Sequence, residues 1–396
     1  MKWPVIKLRD LQQKKRGSID PSKNSNELFT LYSIPAYDMG EPQILRGNEI
    51  GSSKQLVSNG DVLISKIVPH IRRAWVVDDS YGHRQIASGE WIVFNSEKIL
   101  PVFFRQFLLS DVFHRKFMTT VAGVGGSLLR AQPRLVADFN FLLPPLAEQQ
   151  RIAELLDTAD RILKLRESAI AKLDQLAQSV FVDMFGDPLK PKCKFKTFKI
   201  GELISEMRGG ASLKPEDFVD SGFPILHKGA IKKHGLIEID LRKKTFATVE
   251  YANKKNSSIV TKEFMAVTLR DLVPTGPSIG LIVNLNDGSY ERYLLAQGAY
   301  GFKIDASRVT PEYLVALSNM PSFREVLKKF SVGSTQIHMR SPVFTSLEIN
   351  LPDMNLQNKF SKIIKNIKNI RSVENSFFEK ETLLFKSLQH QSFAVN

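Results

Sequence analysis

The chain has 396 residues, 43% of them hydrophobic, and a formal net charge of +14. That length has room for two domains plus connecting elements, each large enough to bury its own core. The charge selects a polyanionic partner, nucleic acid before an anionic membrane, and no run reaches the ~18 apolar residues that a spanning helix needs.

In chain order, short strands are predicted at Asp61–Ser65, Ala74–Val77 and Glu90–Phe94. Pro101 to about Met118 reads as a helix, with Phe103, Phe104, Phe107, Leu108 and Val112 at helical spacing. Gly123 to Ser127 reads as a loop and Phe139 to Leu143 as a closing strand. From Leu146 to about Met184 there is neither glycine nor proline. Apolar residues recur three and four apart there, from Ile152 and Leu155/Leu156 through Ile162/Leu163 and Ile170 to Val180 and Met184. That pattern predicts a coiled-coil helix. Pro144-Pro145 fixes its entry and Gly186-Asp187-Pro188 stops it. Further strands are predicted at Phe264–Leu269, Ile279–Val283 and Tyr300–Ile304, and a helix from Pro311 to Phe330. A second rod runs from about Asn355 to Ser392, with Ile363, Ile364, Ile367, Ile370, Phe377/Phe378, Leu384 and Leu388 on its stripe.

The two halves repeat one another, which governs the whole fold. Trp3 to Leu11 matches Phe195 to Leu203. Ile86-Ala87-Ser88-Gly89 matches Leu295-Ala296-Gln297-Gly298, and Gly126-Ser127 matches Gly333-Ser334. From Leu143-Pro144 and Leu351-Pro352 onward the copies align without a gap. The expected fold is α+β: two mixed α/β domains joined by two long antiparallel coiled-coil helices, related by a pseudo-twofold internal repeat. Its divisions are 1–145, 146–188, 189–352 and 353–396. Two basic lobes one rod-length apart suit a DNA reader with two half-sites, and non-identical lobes imply a site that is not a palindrome.

The run Leu143-Pro144-Pro145-Leu146-Ala147-Glu148-Gln149-Gln150-Arg151-Ile152, continued by Leu173-Asp174-Gln175-Leu176-Ala177-Gln178-Ser179-Val180-Phe181-Val182-Asp183-Met184-Phe185-Gly186-Asp187-Pro188, resembles the specificity subunit of type I restriction–modification enzymes. The resemblance covers the whole chain as target-recognition domain, central helix, second recognition domain and distal helix. It implies a non-catalytic subunit that binds double-stranded DNA, each domain reading one part of a bipartite, asymmetric site. It further implies that the helices dock two methyltransferase subunits and set the spacer, with restriction–translocase subunits joining that core. S-adenosylmethionine, ATP and Mg are then expected on the partners and no cofactor on this chain. The distal helix departs from the pattern. Leu351-Pro352-Asp353-Met354-Asn355-Leu356-Gln357 keeps only Pro352 and Gln357, so equivalent docking surfaces are not implied.

The residues themselves offer no catalytic motif. No Gly-x-x-x-x-Gly-Lys-Ser/Thr loop is present, and the only Pro-Pro pair, Pro144-Pro145, is flanked by leucines rather than set in an Asp/Asn-Pro-Pro-aromatic site. His227 and His234 sit among Lys228, Lys232 and Lys233, a basic segment rather than a metal site. The single cysteine, Cys193, excludes an intramolecular disulfide and a cysteine zinc site. No signal-peptide core follows Met1, so a cytoplasmic (prokaryotic) location is expected.

Phosphates are positioned by Lys and Arg, and bases are read by a few side chains. Candidates in the first half are Lys14, Lys15, Arg16, Arg46, Lys66, Arg72, Arg73, Arg84 and Arg130. Those in the second are Arg208, Lys214, Lys228, Lys232, Lys233, Arg242, Lys243, Lys244, Arg270 and Arg292. Gly125-Gly126-Ser127 and Gly333-Ser334-Thr335-Gln336 occupy matching loops, where glycine lets backbone N–H groups approach phosphate. Gln336, His338 and Arg340 are placed to reach bases. Ile152, Leu156, Leu165, Phe181, Ile363, Ile367, Phe377 and Phe385 are expected on helix faces that partner helices cover. Two other readings stay open: a DNA-binding scaffold or regulator working alone, and an enzyme whose motifs have degraded.

Overall fold

The computed structural model describes residues 3–12, 16–123, 129–191 and 195–394. Lys14, Lys15, the loop Gly125-Gly126-Ser127 and Cys193 lie outside the described residues. The chain divides into two compact units, one of residues 1–167 with 376–396, the other of residues 168–375.

In the first unit the strand Leu28–Tyr32 runs parallel to Arg84–Ala87, the central strand of a five-stranded sheet. A three-stranded sheet is centred on Val62–Ser65, between Ala74–Val76 and Trp91–Phe94. Phe103, Phe104, Phe107 and Phe141 are buried in one aromatic core. Val5–Lys7 closes on Asn140–Leu142 in antiparallel register.

The second unit repeats this plan. Phe223–Leu226 runs parallel to Arg292–Leu295, and Met265–Thr268 lies between Ile282–Asn284 and Ala299–Ile304. Lys196–Lys199 closes on Glu348–Leu351. The Leu8 N–H donates to Phe139 O and the Ile200 N–H to Leu347 O, each at the same step of its copy.

Two predicted helices are each two helices. Pro101–Leu109 and Asp111–Met118 meet at Ser110, whose Oγ accepts from Phe113 N and caps the second. Pro311–Asn319 and Pro321–Lys329 meet at Met320, before a proline that lacks the N–H a continuous helix needs. The match of Ile86–Gly89 to Leu295–Gly298 slips by one residue. The turn holds Gly89-Glu90 in one copy and Gln297-Gly298 in the other, as Trp91 N donating to Ser88 O and Ala299 N to Ala296 O show. Gly298 has a φ of +92°, which favours glycine.

The central helix is Leu146–Phe185 and the distal helix Met354–Phe393, each 40 residues and ~60 Å long. Each unit takes the start of one and the end of the other, so the units cut across the four-part division read from the sequence. In the first unit Arg166 makes a two-pronged bond to Glu381, at 2.7 and 2.8 Å. In the second, Arg371 lies 2.9 Å from Asp174.

A buried glutamine secures each helix start. Gln149 Nε2 donates to Lys98 O (2.9 Å) and Pro144 O (2.8 Å), and its Oε1 accepts from Leu100 N (2.7 Å). Gln357 Nε2 donates to Arg308 O (3.0 Å) and Pro352 O (2.8 Å), and its Oε1 accepts from Thr310 N (2.9 Å). Thus the diverged distal motif keeps the glutamine that bolts the start of the helix to its globule. Each helix ends in a phenylalanine. Phe185 packs 5.1 Å from Phe360 in the second unit, and Phe393 packs 5.5 Å from Phe103 in the first.

Candidate nucleic-acid interface

In the second unit Arg270–Asp271 pairs with Ile337–His338 in a short ladder, Arg270 opposite His338. Arg270 Nη2 donates to Gln336 Oε1 at 3.0 Å. Added to Gly298, a Cβ would fall 2.8 Å from Arg270 Cβ, so the glycine seats this arginine. Leu226 pairs with Leu295 and accepts from Ala296 N, which brings the segment of Lys228 to the turn whose Gly298 seats Arg270. Burial lowers the Lys228 pKa, which Asp271 opposes and Arg270 reinforces. Gln336, His338 and Arg340 are exposed. The ladder therefore assembles Lys228, Arg270, Gln336 and His338 from three distant stretches of chain. Two are cations and two carry donors and acceptors suited to base edges.

The first unit builds the same ladder from other residues. Ile67 bridges Arg130. Lys66 N donates to Glu90 O and Ala131 N to Lys66 O, as Leu269 N does to Gly298 O and Met339 N to Leu269 O. Ile67 therefore stands where Arg270 does, and Arg130 where His338 does. Arg130 is held by Glu90 at 3.0 Å. Val68, next in the loop, has a φ of +48°, strained for a β-branched residue. Nearby, Arg9, Arg16, Lys66, Trp91, Asn95 and Arg134 line a cleft of about 800 Å³. Sequence reasoning did not single out Arg9 or Arg134, because no charge run or motif marks them. Trp91 is 2% exposed and donates from Nε1 to Tyr32 O at 2.9 Å, so it shapes the cleft wall from within the core.

Several candidates lie elsewhere or serve the fold. Arg73 is 8% exposed and clasps Asp38 with two bonds of 2.7 and 2.8 Å, so it is a structural arginine rather than a phosphate contact. Arg73→Ala is expected to cost about 1–3 kcal/mol of stability, by urea denaturation, and to leave the salt dependence of DNA binding unchanged. Arg16 pairs with the buried Asp61. Arg72 donates to Leu109 O at 3.0 Å, Arg46 to Asn26 O at 3.3 Å, and Arg84 pairs with Glu27 at 3.1 Å. Arg208 lies over Phe264 and pairs with Glu206, while Arg292 lies over Phe223. Arg242 and Lys243 share Asp240, whose carboxyl is lowered to about 2, chiefly by its hydrogen bond from Arg242. Lys214, Lys232 and Lys244 are exposed on loops and Lys233 opens a short 3-10 turn, with Lys214 near Glu216 and Lys232 near Glu238. His227 is held below the usual histidine range by burial first and then by Lys232, Lys228 and Lys243.

The helix faces also divide. Ile152 and Leu156 are buried in the first unit's core and Phe181 and Ile367 in the second's. These four, expected to meet partner helices, are already covered by their own globules. Phe385 is half-buried against the first core. Leu165, Ile363 and Phe377 are exposed, at 65%, 40% and 47%. The Arg166 guanidinium lies 5.0 Å from the Phe377 ring.

Comparison with known proteins defines the class. The family model for the type I restriction modification DNA specificity domain matches residues 1–175 and again 193–376. The chain belongs to that family.

Among its relatives, the MjaVIII specificity subunit of Methanocaldococcus jannaschii is 21% identical over 271 residues, covering 65% of this chain and 62% of the relative. The EcoKI specificity subunit of Escherichia coli K12 is 27% identical over 166 residues, 38% of this chain and 34% of the relative. The chain thus matches less than two thirds of the length of these curated relatives. Its fold is similar to that of the type I restriction-modification S subunit from M. genitalium, with a TM-score of 0.55 at 12% identity, 100% of this chain and 97% of that one. It is also similar to a chain from a type I system solved for its complex assembly and conformational transition, with a TM-score of 0.56 at 16% identity, 99% and 97% covered. Among the described residues no helix is long and apolar enough to cross a membrane.

Proposed function

We propose that this chain is the DNA sequence-specificity subunit of a type I restriction–modification complex, without catalytic activity of its own. The observation that carries the reading is the ladder built twice, with Lys228, Arg270, Gln336 and His338 in one copy and Lys66, Ile67 and Arg130 in the other. Two readers of one plan and different side chains suit a bipartite target with unlike halves. The arrangement we propose is a pseudo-twofold one, in which the central and distal helices pair antiparallel as a ruler between half-sites. Their exposed Leu165, Ile363 and Phe377 would dock two methyltransferase subunits. S-adenosylmethionine, ATP and Mg would then reside on the methyltransferase and restriction–translocase partners, in a prokaryotic cytoplasm.

The test is co-expression with an adenine methyltransferase subunit and genome-wide mapping of N6-methyladenine. Methylation at one split, asymmetric motif that vanishes without this chain is the expected result. Random methylation would instead favour a scaffold or regulator. Lys228→Ala should weaken binding about equally at all sequences and reduce the salt slope by about 1. Gln336→Ala should instead relax one base position, by ~1–3 kcal/mol.

A further inference from the structure

The loop that follows Arg270 holds two apolar side chains out in water by a rigid construction. Its sequence is Asp271-Leu272-Val273-Pro274-Thr275-Gly276-Pro277-Ser278. Asp271, 6% exposed, spans the loop from inside. Its Oδ1 accepts from Val273 N at 3.3 Å, and its Oδ2 accepts from Ser278 N at 2.7 Å and from Ser278 Oγ. The buried Arg324 grips the far end, donating from Nη2 to Gly276 O (3.2 Å) and Pro277 O (2.8 Å). Ile337 packs so tightly on Gly276 that a Cβ there would collide with it. Two prolines stiffen what remains. Yet Leu272 is 54% exposed and Val273 43%.

Exposed apolar surface on so fixed a loop contributes little to folding, and its burial becomes favourable only when something binds. Rigidity helps at that step, because the backbone has little ordering cost left to meet. The neighbours identify the partner. Leu272 and Val273 directly follow Arg270 and Asp271, on the ladder that carries Gln336 and His338, with Lys228 beside it. Cations and amide groups match phosphates and base edges. The apolar group that a base pair displays in the major groove is the thymine C5-methyl. The equivalent loop of the first unit exposes Ile71, after the Ile67–Arg130 bridge.

We infer that Leu272 and Val273 are an apolar reader that packs on thymine C5-methyl groups in the half-site met by the second unit. The inference rests on the DNA-reading function proposed above. It makes the ladder a composite reader, in which Gln336 and Arg270 address polar edges and the adjoining loop addresses a methyl group.

The test removes the methyl group rather than altering the protein. Each thymine of the mapped target is replaced in turn by deoxyuridine, and binding by the full chain with its methyltransferase subunit is measured. One or two positions of one half-site should bind about fourfold more weakly, the value of a buried carbon group. The Leu272→Ala/Val273→Ala chain should bind the thymine target more weakly and no longer distinguish thymine from uracil. Equal affinity for both bases at every position overturns the inference while leaving the DNA-reading function intact. So does a double variant that keeps the discrimination. A double variant that loses the methyltransferase subunit, with no thymine–uracil difference in the unaltered chain, would make the loop a protein contact instead. A chain with no specific target overturns both readings.

Discussion

Phe360→Ala is expected to destabilise the second unit by about 3–5 kcal/mol, the range for emptying a buried aromatic site. Phe360 is fully buried, with Phe185 at 5.1 Å and Phe181 at 5.7 Å. Tyr313 closes the group, 5.2 Å from Phe185 and 5.5 Å from Phe181. No single neighbour can swing into the space without leaving its own contacts, so collapse is limited. The three tryptophans, Trp3, Trp75 and Trp91, all belong to the first unit. Urea denaturation followed by tryptophan fluorescence should therefore keep its midpoint, while far-ultraviolet circular dichroism acquires an earlier phase. Equal shifts in both signals would show that the units unfold as one cooperative body.

Gln149→Ala should have the opposite spectroscopic signature, with a shift of the tryptophan transition. The side chain is fully buried and makes three bonds to the backbone of its own unit. Its loss strands Leu100 N–H and removes a donor from Lys98 O and Pro144 O, at ~2–4 kcal/mol in sum. The adjacent Gln150 is exposed and bonds along its own helix, to Glu154 at 2.6 Å. Gln150→Ala should stay within about 0.5 kcal/mol of the parent. A Gln150→Ala cost as large as that of Gln149→Ala would refute the bolt. Gln357→Ala should move the dichroism phase of the second unit alone.

The contrast between those glutamines explains what was legible in the sequence. Both long helices could be read because their apolar periodicity is dictated by side-chain geometry over many turns. The repeat was visible because Leu143–Gln149 and Leu351–Gln357 meet the same packing demand. Helix breaks at Ser110 and Met320 were hidden by phenylalanines and leucines at helical spacing on both sides, although Pro321 was a signal to stop. Gly89 and Gly298 look equivalent in sequence but occupy different positions of the same two-residue turn, which accepts glycine at either one. The candidate site was least legible. A lone arginine looks the same in sequence whether it clasps Asp38, as Arg73 does, or caps a reading ladder, as Arg270 does. Lys228, Arg270 and Gln336 converge only through strand pairing between stretches far apart in the chain.

The placement of Phe393 has a consequence for how the protein is made. The first unit's core includes Phe103, Phe107 and Phe141, and Phe393 packs against both Phe103 and Phe107. On the ribosome those rings emerge long before their last partner, by roughly 15–60 s at ~5–20 residues per second. The domain translated first is thus completed last. During that interval the aromatic face that Phe393 covers stays open, and exposed apolar surface of that kind is prone to aggregation.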